Sequence, residues 1–330
     1  MRRPNFLQEY GVLIAFALLF LISAVTQGVT FLQFENLRNI VSQSAVVGMI
    51  AIGMTFVIIS AGIDLSVGSL SALCGALCVL TLNKTAGSGD STAIILALLA
   101  SIGIGLAAGL LNGSIVAFGR VASFVVTLAG LAGFRSLALV LGRGGEIRSE
   151  VPAIGDIGFG GLPIPGARLA NGDPVMMYWS AIAFIIVALL AGFVLNRTRF
   201  GRYVVAVGAN EKAAKYSAIN VSAVKVAVFA ITGALCGLAA FFNVARMNSV
   251  GTGTVGTFYE LDAIAAVVIG GTTLSGGRGR IWGTVVGIML MTLISNMMTA
   301  YGVDTNWQGL VSGLVILIAV LLQRGSKGSE

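Results

Sequence analysis

Arg197-Thr-Arg-Phe-Gly-Arg-Tyr-Val-Val-Ala-Val-Gly-Ala-Asn-Glu-Lys-Ala-Ala-Lys-Tyr-Ser-Ala-Ile-Asn-Val221 is a polar, basic stretch set between two long apolar runs, 176–196 and 221–244. Each run is about as long as the ~20 residues that a helix needs to cross a bilayer. The stretch therefore reads as a loop joining two membrane spans. Its size and its own helix signal suggest a docking surface for a partner outside the bilayer. Asn210 is a good N-cap, Glu211 sits where a helix dipole favours an anion, and Glu211 to Lys215 is an i,i+4 pair. Ala213 and Ala214 are strong helix formers with almost no bulk, and Gly208 upstream lets the chain turn. The expectation is a short helix with a smooth small-residue face, suited to a groove. The plain alternative is a solvated connector.

Outward from this loop, the chain has the same character. Apolar segments run approximately over 10–27, 41–60, 66–82, 92–118, 121–142, 176–196, 221–244, 262–275, 281–300 and 307–323. Hydrophobic residues make up 57% and charged residues 10% of the 330, and mean hydropathy is +0.97. A soluble domain carries about 25% charge. The expected fold is all-α and polytopic, one transmembrane domain over 1–330 with about ten segments, some short or broken. The third and eighth segments are short and glycine-rich, the best candidates for broken or re-entrant helices. Arg2-Arg3 before the first run fits a spanning helix better than a signal peptide, because no convincing small-x-small cleavage site follows.

Net charge is +7, but Lys and Arg lie mostly between the apolar runs, which is membrane anchoring rather than a nucleic-acid face. With the N-terminus inside and ten crossings, thirteen basic residues fall on the inner side and six outside, with Arg135 inside a segment. That bias sets the orientation, both termini cytoplasmic. The stretch 143–175 is then the longest outer loop. It holds Pro152, Pro163, Pro165 and Pro174, as expected of a structured turn or cap.

Glycine occurs 45 times. Gly105, Gly109 and Gly113, Gly233 and Gly237, and Gly283 and Gly287 have the spacing of faces that let helices approach closely in lipid. Cys74, Cys78 and Cys236 fall inside apolar segments and read as small hydrophobes. The absence of histidine removes histidine-ligated metals and serine–histidine triads. The sequence calls for no metal and no cofactor. A weak internal echo links Gly62-Ile-Asp-Leu-Ser-Val-Gly-Ser69 to Tyr259-Glu-Leu-Asp-Ala-Ile264, each ahead of glycine-spaced helices. Two related halves would fit a transporter.

Ionised groups inside lipid are costly, so Asp64, Arg135, Glu260 and Asp262 are candidates for function or for pairing. Asp64 could equally cap the helix starting near Leu65. Leu274-Ser-Gly-Gly-Arg278 nearly spells the nucleotide-clamping signature of ABC ATPases, but no phosphate-cradling Gly-x-x-x-x-Gly-Lys-Ser/Thr string accompanies it. The chain itself is therefore not expected to be an ATPase.

Three strings occur together and in order: Gly62-Ile-Asp-Leu-Ser-Val-Gly-Ser69, the Gly-x-Asn-Glu-x-Ala-Ala pattern at 208–214, and Tyr259-Glu-Leu-Asp-Ala-Ile-Ala-Ala-Val-Val-Ile-Gly-Gly271 followed by Ser275-Gly-Gly. With them the chain resembles, from about residue 35 to 322, the permease subunit of bacterial monosaccharide ABC importers of the ribose-permease-like family. The resemblance implies a subunit of the bacterial inner membrane that does no chemistry of its own and passes a monosaccharide by alternating access. Its partners would be a cytoplasmic ABC ATPase, a periplasmic sugar-binding protein, and a second copy of itself or a close paralogue.

The resemblance also makes 208–219 the coupling helix, with Arg199, Gly208, Asn210, Glu211, Ala213, Ala214 and Ser217 in the docking face. Candidate path residues are Asp64, Ser66, Glu260 and Asp262, with Asn112, Phe124 and Asn296 as polar or aromatic groups on apolar helices. Amides such as these can instead bridge helices. Two positions depart from the family. Ala218 stands where glycine usually follows the serine, and alanine can extend the helix by a residue. Ser123 stands where proline usually precedes the phenylalanine, which puts a helix break there in doubt. The alternative from another class is a stand-alone ion-coupled secondary transporter using Asp64, Glu260 or Asp262.

Overall fold

The computed structural model describes residues 6–169 and 172–304, and beyond them 307, 309–311, 313, 314 and 317. The elements in chain order are α1 (Phe6–Gln27), α2 (Val29–Leu32), α3 (Phe34–Ile59), α4 (Val67–Thr85), α5 (Asp90–Phe118), α6 (Ser123–Leu141), β1 (Glu146–Arg148), α7 (Ile154–Phe159), β2 (Gly161–Arg168), β3 (Pro174–Tyr178), α8 (Trp179–Arg197), α9 (Arg199–Ala209), α10 (Glu211–Tyr216), α11 (Val221–Met247), β4 (Ser249–Gly251), α12 (Tyr259–Ile269) and α13 (Ile281–Ala300). Seven of these helices, α3, α4, α5, α6, α8, α11 and α13, are long and apolar enough to cross a membrane, and α1 carries a shorter apolar stretch over Gly11–Gln27. The expected segment 307–323 lies largely outside the described residues.

Helix α3 is the axis of the bundle. Its side chains are buried almost without a break from Ser44 to Ile59. A helix apolar all round belongs in a core rather than at a surface. Helices α8, α11, α12 and α13 pack around it, and α4 and α5 pack on α11.

The α5–α11 contact rests on missing side chains. A Cβ at Gly105 would meet the carbonyl of Gly233, one at Gly109 the carbonyl of Phe229, and one at Gly237 the carbonyl of Ser101. The α12–α13 contact repeats the device, with Gly283 against Gly270 and Gly287 against Ala266. All three expected glycine faces are therefore contact faces. Cys74, Cys78 and Cys236 are buried free thiols within the packing.

At one end of the bundle the 143–178 stretch forms a small structured cap. β1 pairs antiparallel with β4, Ile147 opposite Val250. β2 pairs antiparallel with β3, Leu162 opposite Met177. The Arg38 guanidinium lies 4.5 Å from the Tyr178 ring centroid, tying α3 to this cap. At the other end lie α9 and α10, the turn after α3 and the turn after α12.

Helices break inside the bundle twice, and not quite where the sequence suggested. The third expected segment is an unbroken 19-residue helix, α4, and the irregular stretch is 60–66 just before it. The eighth is α12, only 11 residues, or about 16 Å at 1.5 Å per residue. That is about half of the ~30 Å hydrocarbon thickness, and the turns 252–258 precede it.

Gly103 and Gly105 are two residues apart on α5, yet a Cβ at Gly103 would meet nothing within 4 Å. Gly105→Leu should destabilise the purified protein by at least about 1–3 kcal/mol of overpacking and lower its detergent melting temperature. Gly103→Leu should leave it within error. Equal melting temperatures would show that α5 and α11 do not touch at Gly105.

Candidate functional site

Residues 199–216 form two helices with a corner at Asn210, not the single 208–219 helix expected. Thr198 Oγ1 accepts from the Gly201 N–H (3.2 Å) and caps α9. Gly201, Val204, Val207 and Gly208 are buried along one side of α9, while Arg199, Arg202 and Tyr203 are exposed. That i, i+3, i+6/i+7 spacing is the helical signal the sequence reading passed over. Phe200 anchors α9 on Phe56 of α3, ring centroids 6.2 Å apart. Gly208 is helical rather than a turn residue. A Cβ there would collide with the Ile59 carbonyl and the Gly277 amide, so it serves close packing and is not on show to a partner.

Asn210 caps α10 as expected, its Oδ1 accepting from the Ala213 N–H at 2.9 Å. Glu211 pairs with Lys225 of α11 at 2.8 Å and not with Lys215. Partly exposed pairs contribute on the order of 0.2–1 kcal/mol, so this one orients α10 more than it stabilises the fold. The two alanines do not share a face: Ala214 is buried against the bundle and Ala213 is exposed. Ser217 is exposed at the C-terminus of α10. Beside it Tyr216 is 91% exposed, a large aromatic that the sequence reading left out of the docking set.

Ala218 does not extend the helix. It takes φ 59°, its N–H bonding the Lys215 carbonyl while the Ile219 N–H bonds the Ala214 carbonyl. This is a Schellman stop with alanine in the position glycine normally holds.

Leu274-Ser-Gly-Gly-Arg278 is a turn. Gly276 and Gly277 have φ 80° and 75°. The Gly277 N–H donates to the Ile59 carbonyl at 2.8 Å, and a Cβ at Gly276 would strike Ala61 and the Gly208 carbonyl. The ends of α3, α9 and α12 thus meet at one junction of backbone against backbone.

The path candidates divide between separate places. Asp64, Ser66 and Asn112 form one buried chain: Asp64 Oδ1 accepts from the Ser66 N–H (2.9 Å) and hydroxyl (2.6 Å), and Asn112 Nδ2 donates to Ser66 Oγ (3.0 Å). Asp64 therefore holds the turn ahead of α4 and does not cap it; the N-cap is Ser66, with no side-chain cap bond. Segment 60–66 also borrows from α6, whose Ser123 Oγ accepts from the Ile63 N–H and Thr127 Oγ1 from the Leu65 N–H, both at 3.0 Å. Ser123 begins α6, so there is no helix break there. The first turn is where the family's proline would be tolerated, and here a hydroxyl does a job proline could not.

Glu260 stands across from this chain. A Cβ on Gly68 would meet its Oε2 and the Gly256 carbonyl, so the first turn of α4 touches the loop leading into α12. Arg135 of α6 donates to the carbonyls of Thr252 (2.9 Å) and Val255 (2.8 Å) and holds that loop.

Asp262, two residues on, points to the other side of α12 and lines a pocket of about 180 Å³ with Gln43, Thr292 and Ser295. Asn296 Nδ2 donates to Asn36 Oδ1 at 3.3 Å, the helix-bridging use of a membrane amide. Phe124 is 52% exposed on the outside of α6 and joins none of these groups. Long-range partners of Ser123, Thr127 and Arg135 have no signature in spacing, which is why the sequence missed the first two.

Comparison with known proteins adds the following. The sequence model of the family described as branched-chain amino acid transport system / permease component matches residues 36–320. The ribose import permease protein of Escherichia coli K12 is 41% identical, over 93% of this chain and 91% of that protein. Its Bacillus subtilis 168 counterpart is 40% identical, over 96% and 93%. The xylose transport system permease protein of Haemophilus influenzae is 33% identical, over 97% of each. An ABC transporter solved in an inward-facing conformation shares the fold, with TM-score 0.53 and 17% identity over 96% of this chain and 98% of that one.

Glycine at 218 would relieve a left-handed strain of about 1–2 kcal/mol while adding roughly 0.5–1 kcal/mol of unfolded-state entropy. Ala218→Gly should therefore slow amide exchange across α10 several-fold. Faster exchange would mean that Ala218 is not strained.

Proposed function

This chain belongs to the branched-chain amino acid transport system / permease component family, and from that premise we propose that it is the membrane subunit of an ATP-driven importer carrying ribose or a related monosaccharide. What supports the sugar is the 40–41% identity to ribose permeases over nearly the whole chain, with a xylose permease close behind. What supports the ATP-driven mechanism is the construction of the α9–α10 corner. It is a polar platform with its own caps, and its back is in backbone contact with the bundle.

In this reading α9 and α10 face the cytoplasm, as the basic bias of the inner loops favours, and a separate ATPase subunit seats on α10. Tyr216 is the anchor of that contact, with Ala213 beside it and Lys212 and Lys215 around. Hydrolysis takes place on the partner and this chain is not an enzyme. A push on α10 travels through α9 to Gly208, which bears on the Ile59 carbonyl and the Gly277 turn. From there it reaches α4 through 60–66 and α12 through its C-terminal turn. The two helices that start inside the bundle move together, and the path opens to one side or the other. A binding protein delivers the sugar over the 143–178 cap, and a second copy completes the path. The exposed small residues Ala129, Ala132, Gly133 and Ser136 of α6 suit a close helix contact between copies.

Ala213→Trp and Tyr216→Ala should each reduce ATP-dependent ribose uptake about tenfold or more, as expected for a central interface aromatic, with insertion and detergent stability unchanged. Ala214→Trp, a buried position, should instead lower stability. Glu211→Lys is a poorer probe, because it also sets two cations together at Lys225. Wild-type uptake by both Ala213→Trp and Tyr216→Ala, measured with the cognate ATPase, would move the docking site away from α10.

A further inference from the structure

Phe258 has φ 66°, a backbone conformation rare for a bulky residue, and its side chain is 55% exposed. It immediately precedes α12 and so stands about 16 Å, one 11-residue helix, from the C-terminal end of α12 at Ile269. That distance is about half of a ~30 Å hydrocarbon core. The loop is held in place by the two bonds from Arg135 to the Thr252 and Val255 carbonyls. Glu260 follows two residues later and is half-buried, as is Arg135, and each lies in the other's electrostatic field. No ion pair within 4 Å joins them among the described residues. Gly253, Thr254 and Thr257 are exposed on the same loop. Ionisable and hydroxyl groups gathered at this depth do not face lipid chains; they face a polar space or the bundle interior. The exposed ring of Phe258 belongs to this same loop.

We propose that Phe258 is a sugar-recognition residue of the translocation path: its ring stacks on the C–H face of the passing monosaccharide, and Glu260 and Arg135 take hydroxyl groups at the rim. An aromatic face combined with a carboxylate and a guanidinium suits a neutral polyol with one apolar face. A branched-chain amino acid would find its two charges matched here, but its branched side chain needs an enclosed apolar pocket, which a 55% exposed ring does not form. Asp262, on the opposite side of α12, takes no part. The assignment rests on the importer reading and deepens it.

The test uses the full transporter, permease with its ATPase and binding protein, in liposomes, with radiolabelled ribose and xylose as probes. Phe258→Gly removes the ring and at the same time relaxes the left-handed backbone, so lost transport is not explained by added strain. Phe258→Tyr keeps the ring. The expected result is that Phe258→Gly co-purifies with the ATPase but imports ribose about tenfold or more slowly, the weight of one aromatic contact, with an altered ribose-to-xylose ratio. Phe258→Tyr should stay within a few-fold of wild type. Wild-type uptake and sugar ratio in Phe258→Gly would overturn the assignment, as would equal losses in Phe258→Gly and Phe258→Tyr. Failure of the unaltered transporter to import either sugar with ATP would instead overturn the importer reading, and the assignment with it.

Discussion

Backbone that leaves a helix inside hydrocarbon finds no water, and each unsatisfied N–H or C=O there costs several kcal/mol. This chain leaves the helix twice inside the bundle, at 60–66 and at 252–258, and helix α6 supplies bonds to both stretches. Ser123 and Thr127 accept from the first, and Arg135 donates to the second. A helix with a mean hydropathy of 2.0 thus carries hydroxyls and a guanidinium at the positions where neighbouring backbone needs them. The placement of α4 and α12 depends on this support.

Close contact between the helices has a second source. Between membrane helices there is no hydrophobic driving force comparable to that in water, and association relies on packing. Glycine allows backbone to meet backbone, at Gly68 against Gly256 near the middle of the bundle and at Gly208 against Ile59 and Gly277 at its end. Such contacts hold no flexible side chain that could absorb a displacement. In the proposed mechanism a movement imposed on α10 would be passed on to α4 and α12 rather than lost in rotamer changes, as a coupled transporter requires.

Much of this fold was legible in the sequence because lipid imposes simple rules. Long apolar runs became spans, glycines at four-residue spacing became contact faces, and Asn210 became a cap. The echo between residues 62–69 and 259–264 marked the two helices that begin inside the bundle. Helix α9 was missed because its buried side, Gly201, Val204, Val207 and Gly208, lies within a stretch that is polar on average. The partner of Glu211 was misread because Lys225 is distant in sequence while Lys215 is near. Asp64, Ser66 and Asn112 are path candidates because polar groups in lipid usually signal function; that they are 3% exposed or less and bonded to one another needed the fold. The hold of Arg135 on the loop that leads to Phe258 and Glu260 needed the fold, since its carbonyl partners Thr252 and Val255 lie more than 115 positions away.

In the proposed mechanism an external ATPase, and not an ion gradient, drives movement through this chain. Uptake of labelled ribose into sealed liposomes containing the permease tests it, with and without the ATPase, binding protein and ATP, and with proton or sodium gradients in place of ATP. Accumulation only when ATPase, binding protein and ATP are present together is the predicted result. Accumulation driven by a gradient through the permease alone would contradict the account and would make Asp64, Glu260 and Asp262 the groups to examine for ion coupling.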